Sequence, residues 1–256
     1  MVRASYRMSR PRQCRQDVRG SQVYVPPPAP VYRGESAANP SEEPPPGRHL
    51  GHDHRVLRGV VLAAGASSRM GRPKAALTLS DAADTFLSRI LRTFQAAGVP
   101  DIVVVTGAAP EAVHAAAGRH RRSVRFAHND QWQEGQLSSL LVGLGAREGE
   151  VIEAAVVALV DAPFASATTV AQVIEIWRRT RAPIVRPARG DMHGHPVVFD
   201  AALFPAFATA DRQVGAKSVV RAYEDRIVNV PLDDAGAFID IDTEDEYADA
   251  MRQLRR

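Results

Sequence analysis

The chain has 256 residues, 45% hydrophobic, 24% charged and 6% aromatic, a soluble-globular composition long enough for one large core. No apolar run reaches the roughly 18–20 residues of a membrane span, and the single cysteine, Cys14, excludes an internal disulfide and a cysteine-based zinc site, so a reducing, cytoplasmic location is expected. The net charge of +3 divides unevenly: residues 1–55 hold nine arginines against five acids and residues 56–256 hold 23 basic against 24 acidic side chains, so no nucleic-acid partner is indicated for the folded part.

Residues 1–55 carry nine of the 18 prolines and no hydrophobic periodicity. Such a segment is expected to be a disordered Pro- and Arg-rich tail. It lacks the apolar core of a secretory signal. His49, His52 and His54 at its end read as exposed side chains. A folded domain is expected over residues 56–256.

From residue 56 on, strand and helix patterns alternate. Residues 59–63 form an apolar run ending in a Gly/Ser loop, which suits a buried parallel strand. Phe86, Leu87, Ile90, Leu91 and Phe94 recur at helical spacing, and Gly98-Val99-Pro100 stops them. Strands are predicted at 102–105 and 124–127, with a short helix at 110–117 between them. A helix at 138–145 precedes a strand at 155–160, which ends at Asp161. Residues 168–179 read as a helix with Val170, Val173, Ile174 and Trp177 on one face. Strands follow at 196–199 and 227–230. Thr243 and Glu246 have the spacing of a capping box opening the last helix. This alternation predicts a mainly parallel sheet with helices on both faces.

The chemistry starts in the first loop, Leu62-Ala63-Ala64-Gly65-Ala66-Ser67-Ser68-Arg69-Met70-Gly71-Arg72-Pro73-Lys74. It is neither a Walker A loop nor a three-glycine dinucleotide fingerprint. It still has the parts of a phosphate site: small residues that let backbone N–H groups approach an anion, and the cations Arg69 and Lys74. The chain has 30 arginines and only two lysines, Lys74 and Lys217, so a compact ammonium at Lys74 is conspicuous.

The segment 62–74 resembles the signature loop of MobA-like nucleotidyltransferases, and the likeness continues over about 200 residues. Asn129 with Gly135-Gln136-Leu137-Ser138-Ser139-Leu140 is similar to the family's second loop and helix. Asp161-Ala162-Pro163 falls where the family has Asp-Gln-Pro. Gly194-His195-Pro196-Val197-Val198-Phe199, Gly215-Ala216-Lys217 and Asp240-Ile241-Asp242-Thr243 resemble segments of the molybdenum cofactor cytidylyltransferase branch. Ala64, where the guanylyl branch carries glycine, points to the same branch. Ala162, Lys217 and Glu244 depart from the family's Gln, Arg and Pro.

The resemblance implies a Rossmann-like three-layer α/β fold of the nucleotide-diphospho-sugar transferase type. It implies transfer of CMP from CTP to the phosphate of molybdopterin, with Mg2+ and release of pyrophosphate. Leu62, Ala63, Ala64, Gly65, Ser67, Ser68, Gly71 and Lys74 would hold the triphosphate, with Arg69 adding charge. Ser138 and Ser139 would contact ribose or base. Asp161, at a strand end, is the first metal candidate. Asp240 or Asp242 is the second; only one of them is expected to face the site, and Asp240 is favoured. His195 and Lys217 are assigned to the acceptor. The expected partners are a nucleoside triphosphate, molybdopterin, and a molybdoenzyme or its chaperone; no membrane partner is expected. Three alternatives stand beside this reading. They are a related transferase using GTP or another phosphorylated acceptor, a non-catalytic molybdopterin-binding chaperone, and a glycosyltransferase using Asp240-Ile241-Asp242 as its DxD motif.

Overall fold

The strand–helix alternation is realised as a three-layer α/β domain in a computed structural model that describes residues 54–79, 83–145, 147 and 150–254. Of the expected tail, only His54 and Arg55 fall within the described residues, so the disorder assigned to it lies outside them, as do His49 and His52. The elements in chain order are β1 (His54–Ala63), α1 (Phe86–Ala96), β2 (Asp101–Thr106), α2 (Pro110–Ala116), β3 (Arg125–His128), α3 (Gln136–Leu144), β4 (Glu150–Leu159) and α4 (Ala167–Thr180). They continue as β5 (Ile184–Arg189), β6 (Met192–His193), β7 (Val197–Asp200), α5 (Phe204–Ala208), α6 (Ala216–Ala222), β8 (Ile227–Pro231) and α7 (Glu244–Leu254).

The strands join in one sheet of order β3-β2-β1-β4-β7-β5-β6, with β8 beside β5. Strands β1 to β4 are mutually parallel, β7 runs against its neighbours β4 and β5, and β8 is parallel to β5. The central strand β1 explains the two helical layers. Successive side chains of a strand point to opposite faces. Val61 and Ala63 therefore pack with Leu87, Leu91, Phe94, Val173 and Trp177 on one side. Val60 and Leu62 pack with Leu137, Leu140, Phe207 and Val219 on the other. Burying each such Val, Leu or Phe contributes about 1.5–3 kcal/mol. Helix α3 lies close on β1: a Cβ added at Gly143 would overlap Val60.

Helix α1 forms as its periodicity predicts. Phe86, Leu87, Ile90, Leu91 and Phe94 are its buried stripe. Thr85 and Ser88 complete a capping box, with Ser88 N–H donating to Thr85 Oγ1 at 3.0 Å and Thr85 N–H to Ser88 Oγ at 2.8 Å. Thr243 and Glu246 play the same roles before α7.

Strand β5 is absent from the predicted pattern, and its residues show why. Ile184-Val185-Arg186-Pro187-Ala188-Arg189 contains a proline, which argues against a central strand. In the structure β5 changes partner at Pro187: Ile184 and Val185 pair with β7, and Ala188 and Arg189 with β6. Helices α5 and α6, five and seven residues long, are too short to show periodicity.

A buried arginine anchors the end of the sheet where β2 and β4 begin. Arg58 is fully buried and donates to Asp101 at 2.7 Å, Glu150 at 2.5 Å and the Gly145 carbonyl at 2.6 Å. Arg125 forks onto Asp101 at 2.6–2.9 Å. Burial alone raises the Asp101 pKa, but the hydrogen bonds from Arg125 and Arg58 outweigh it and hold the carboxyl below its ordinary value.

Candidate functional site

The segment from Leu62 to Lys74 leaves the carboxyl end of β1, the edge where open α/β sheets take ligands. It curls through two left-handed residues, Ser67 (φ 52°) and Gly71 (φ 62°). A non-glycine residue in that region stores strain of about 1 kcal/mol or more. The closing bond offsets it: the Lys74 backbone N–H donates to Ser67 Oγ at 3.1 Å. Leu62, Ala63, Ala64, Gly65, Ser67, Ser68, Arg69 and Lys74 all line one cavity of about 400 Å³. Gly71 turns the loop without lining that cavity.

Lys74 is the electrostatic centre of this cavity. Its side chain is 10% exposed, and Nζ donates to Asp161 Oδ2 at 3.0 Å and Asp242 Oδ1 at 2.5 Å. Burial opposes the charge, but the two carboxylates prevail and raise the lysine pKa. Asp242 also meets Arg69 at 3.0 Å, and its pKa is lowered chiefly by the Lys74 hydrogen bond. The other carboxylate oxygen of Asp161, Oδ1, is buried without a hydrogen-bond partner.

The convergence of these carboxylates is built into the backbone. Ile241 N–H donates to the Asp161 carbonyl at 2.9 Å and lays the 240–242 segment along the end of β4. Ile241 is buried with Met70, Leu77 and Phe86. Residues two apart on an extended segment share a face, so Asp240 and Asp242 both turn away from that cluster. Asp242 shares Lys74 with Asp161. Asp240 is coupled to His195 and Asp161, and burial raises its pKa, reinforced by the charges of Asp161 and Asp242. Of the two, Asp242 rather than the favoured Asp240 lines the cavity.

Of the two serines assigned to ribose or base, only Ser139 lines the cavity. The Ser138 hydroxyl donates to the backbone carbonyls of Gln131 and Gly135. Asn129 Nδ2 donates to Ser138 at 2.9 Å and Ser139 at 3.0 Å, which holds the loop before α3. That loop adds Trp132, Gln133 and Gln136 to the cavity wall. Gln136 belongs to the motif 135–140 that carries the resemblance, whereas Trp132 and Gln133, between Asn129 and that motif, carry no sequence signal of their own. Ala64 is buried, with its methyl beside Gly107 and near Trp132.

A second cavity, of about 200 Å³, adjoins the first and shares Leu62, Gln136 and Leu159 with it. Its floor is a sheet face made by alternate residues of β4, β7 and β5: Val157 and Leu159, Val197 and Phe199, Ile184 and Arg186. Leu140 and Val220 from α3 and α6 cover it. His195 and Lys217 both line this cavity, as their shared assignment requires. Gly194 permits the local geometry, because a Cβ there would overlap the Ala237 carbonyl that accepts the His195 N–H at 2.8 Å. The His195 side chain is half-buried; desolvation lowers its pKa, and its buried Nδ1 has no hydrogen-bond partner. An ion pair between Arg212 and Glu134 links the loop before α6 to the loop before α3.

Comparison with known proteins agrees with this geometry. The model of the MobA-like NTP transferase domain matches residues 59–227. Nicotine blue oxidoreductase of Paenarthrobacter nicotinovorans is 34% identical over 204 residues, covering 75% of this chain and 94% of that protein. A probable molybdenum cofactor guanylyltransferase of Opitutus terrae is 31% identical over 173 residues, covering 65% of this chain and 77% of that protein. The crystal structure of Rv0371c from Mycobacterium tuberculosis superposes with a TM-score of 0.63 at 27% identity, covering 78% of this chain and 99% of that one. A manganese complex of Rv0371c matches at a TM-score of 0.59 and 25% identity, over 77% of this chain and 98% of that one. The fold, the signature loop and the family match agree, and the chain belongs to the MobA-like NTP transferase family as a nucleotidyltransferase of that type.

Proposed function

We propose that the protein transfers CMP from CTP to the phosphate of molybdopterin with Mg2+, releasing pyrophosphate. The observation that carries this reading is the Lys74 ammonium held between Asp161 and Asp242 in the wall of the loop-lined cavity. A bond forms between an acceptor phosphate oxygen and the α-phosphorus, and the α–β anhydride bond breaks. The acceptor phosphate is already anionic near neutral pH and needs no general base. The difficulty is to bring two anions together, so positioning and charge neutralisation supply the catalysis.

The loop amides, Arg69 and Lys74 bind the triphosphate in this reading. The donor set fits a hard divalent cation. Among the described residues no three His, Cys, Asp or Glu side chains form a self-sufficient metal cage. Magnesium is usually held by one or two carboxylates together with substrate phosphates. Asp161 and Asp242 provide that pair, and Asp161 Oδ1 is an unpaired buried acceptor. The cation would supply charge neutralisation and orientation at the phosphates. Asp240 lines neither cavity and acts in this reading only through its charge on His195. The apolar second cavity takes the pterin, with His195 and Lys217 on its wall. A molybdoenzyme or its chaperone is the proposed recipient of the product, and residues before β1 are proposed to be dispensable for transfer.

Ala64, which lines the cavity and is packed against Gly107, supports CTP in this reading, because the guanylyl branch carries glycine at the matching place. The guanylyltransferase relative favours a second reading, the same transfer with GTP. The test is pyrophosphate release from CTP, GTP, ATP and UTP, each with Mg2+ and molybdopterin. CTP is expected to react fastest. GTP at or above the CTP rate rejects the cytidylyl assignment and leaves nucleotidyl transfer standing. No release from any triphosphate rejects the transfer reading and makes redox activity, named in the 34% identical relative, the next to assay.

A further inference from the structure

The second cavity holds a charged residue that the reaction described above does not use. Arg186 lies on β5 in register with Asn229 of β8. Its Nε donates to Asn229 Oδ1 at 2.9 Å. The pairing of Ala188 with His193 continues through the Gly194 N–H to Pro187 carbonyl bond of 3.0 Å, which brings the 193–195 segment alongside Arg186. Arg186 Nη2 lies 3.0 Å from His193 Nε2. A guanidinium has only donors, so His193 accepts with a neutral ring. Burial and the Arg186 charge keep its pKa below the ordinary histidine value.

The guanidinium is thus fixed in orientation by two neutral groups. Among the described residues no carboxylate lies within ion-pair distance of Arg186. The charged side chains lining the cavity are Arg186 and Lys217, both basic, and no acid lines it. Its other walls are chiefly apolar. An apolar slot with two cations and no acid selects a flat ring carrying negative charge. A guanidinium clamped on one side keeps free N–H donors for a bidentate contact with a carboxylate or phosphate.

We propose that Arg186 is a specificity-determining residue that reads an anionic substituent on a flat heteroaromatic acceptor in the second cavity. This rests on the assignment of that cavity to the acceptor. The contact is a charge-assisted hydrogen bond from a preorganised donor, whose loss lowers affinity roughly 10- to 100-fold.

The probes are pterin-6-carboxylate and uncharged pterin, titrated into the full chain by isothermal calorimetry without nucleotide. The wild-type protein is expected to bind the carboxylate roughly tenfold or more tightly than the neutral ring. Arg186→Ala and Arg186→Gln bring the two affinities together by weakening only the carboxylate, and Arg186→Lys restores part of the preference. Use of both neutral variants guards against one failing to fold, which circular dichroism checks. A preference unchanged in folded Arg186→Ala or Arg186→Gln overturns the proposal. So does equal binding by the wild type, or no binding of either ring at millimolar concentration. The titration involves no turnover, so a failure of CMP transfer and a failure of this assignment are separate results.

Discussion

Replacing Lys74 by methionine keeps the length of the side chain and removes its charge, which should lower both the stability of the metal-free protein and the rate of the working enzyme. In the resting protein Nζ bonds two carboxylates, at 3.0 Å to Asp161 and 2.5 Å to Asp242. The lysine side chain is 10% exposed, whereas those of the acids are 26% and 37% exposed. Hydrogen bonds between charged groups contribute about 1.5–3 kcal/mol each when desolvated, and solvent screening at the two acids lowers that. The net loss of stability is therefore about 1–3 kcal/mol. A divalent cation held by Asp161 and Asp242, as proposed, would compete with the ammonium for these carboxylates, so the Lys74→Met protein should recover more stability from added Mg2+ or Mn2+ than the wild type does. In turnover the variant lacks a preorganised phosphate-neutralising cation. By analogy with loss of one oxyanion donor this costs about 3–4 kcal/mol, a rate reduced on the order of 10²–10³-fold. The assays are pyrophosphate release and thermal melting with and without metal. A wild-type rate refutes the role of Lys74. A rate loss that disappears when corrected for the unfolded fraction refutes it equally.

Asp161→Asn is expected to abolish metal-dependent turnover while nucleotide binding persists, because the loop supplies separate contacts; calorimetry with CTP and a magnesium titration of the rate check both parts. Ala64→Gly should raise GTP use relative to CTP by about 1 kcal/mol, roughly fivefold, the low end for one methyl group because Ala64 is already packed beside Gly107; competing-substrate rates measure it. The depressed pKa of Asp101 gives a stability contribution that is fully present above its unfolded value of about 4 and is lost as pH falls through the lower folded value. Asp101→Asn should therefore melt lower at pH 7 and lose less additional stability than the wild type as pH falls below about 4. A chain starting just before His54 should melt and turn over like the full chain, since β1 pairs from His54 onward.

The parts of this molecule legible in the sequence are those whose signal is local. Asp161 could be placed because an apolar strand stops there. Lys74 stood out because the chain otherwise uses arginine, and Thr243 and Glu246 cap the last helix by a rule that acts over three residues. Arg58 was invisible for the opposite reason. Its partners Asp101 and Glu150 lie 43 and 92 residues away, and a charge in an apolar run reads as the end of the strand until they are found. Strand β5 was missed because Pro187 sits where the strand changes partner, and Arg186 was missed with it. Asp240 and Asp242 were recognised as a pair, but their placement depends on Ile241 bonding the end of β4, a tertiary contact. Ser138 shows the converse: a residue type suited to ligand contact is occupied with its own loop.

The most direct test of the account follows the label from α-phosphorus-labelled CTP in a reaction with molybdopterin and Mg2+, with the product identified by mass spectrometry. The account predicts one CMP unit joined to the acceptor through a new phosphoanhydride, with pyrophosphate released in equal amount and none formed without acceptor. Label that stays in CTP, or leaves as free CMP at a rate indifferent to molybdopterin, contradicts it.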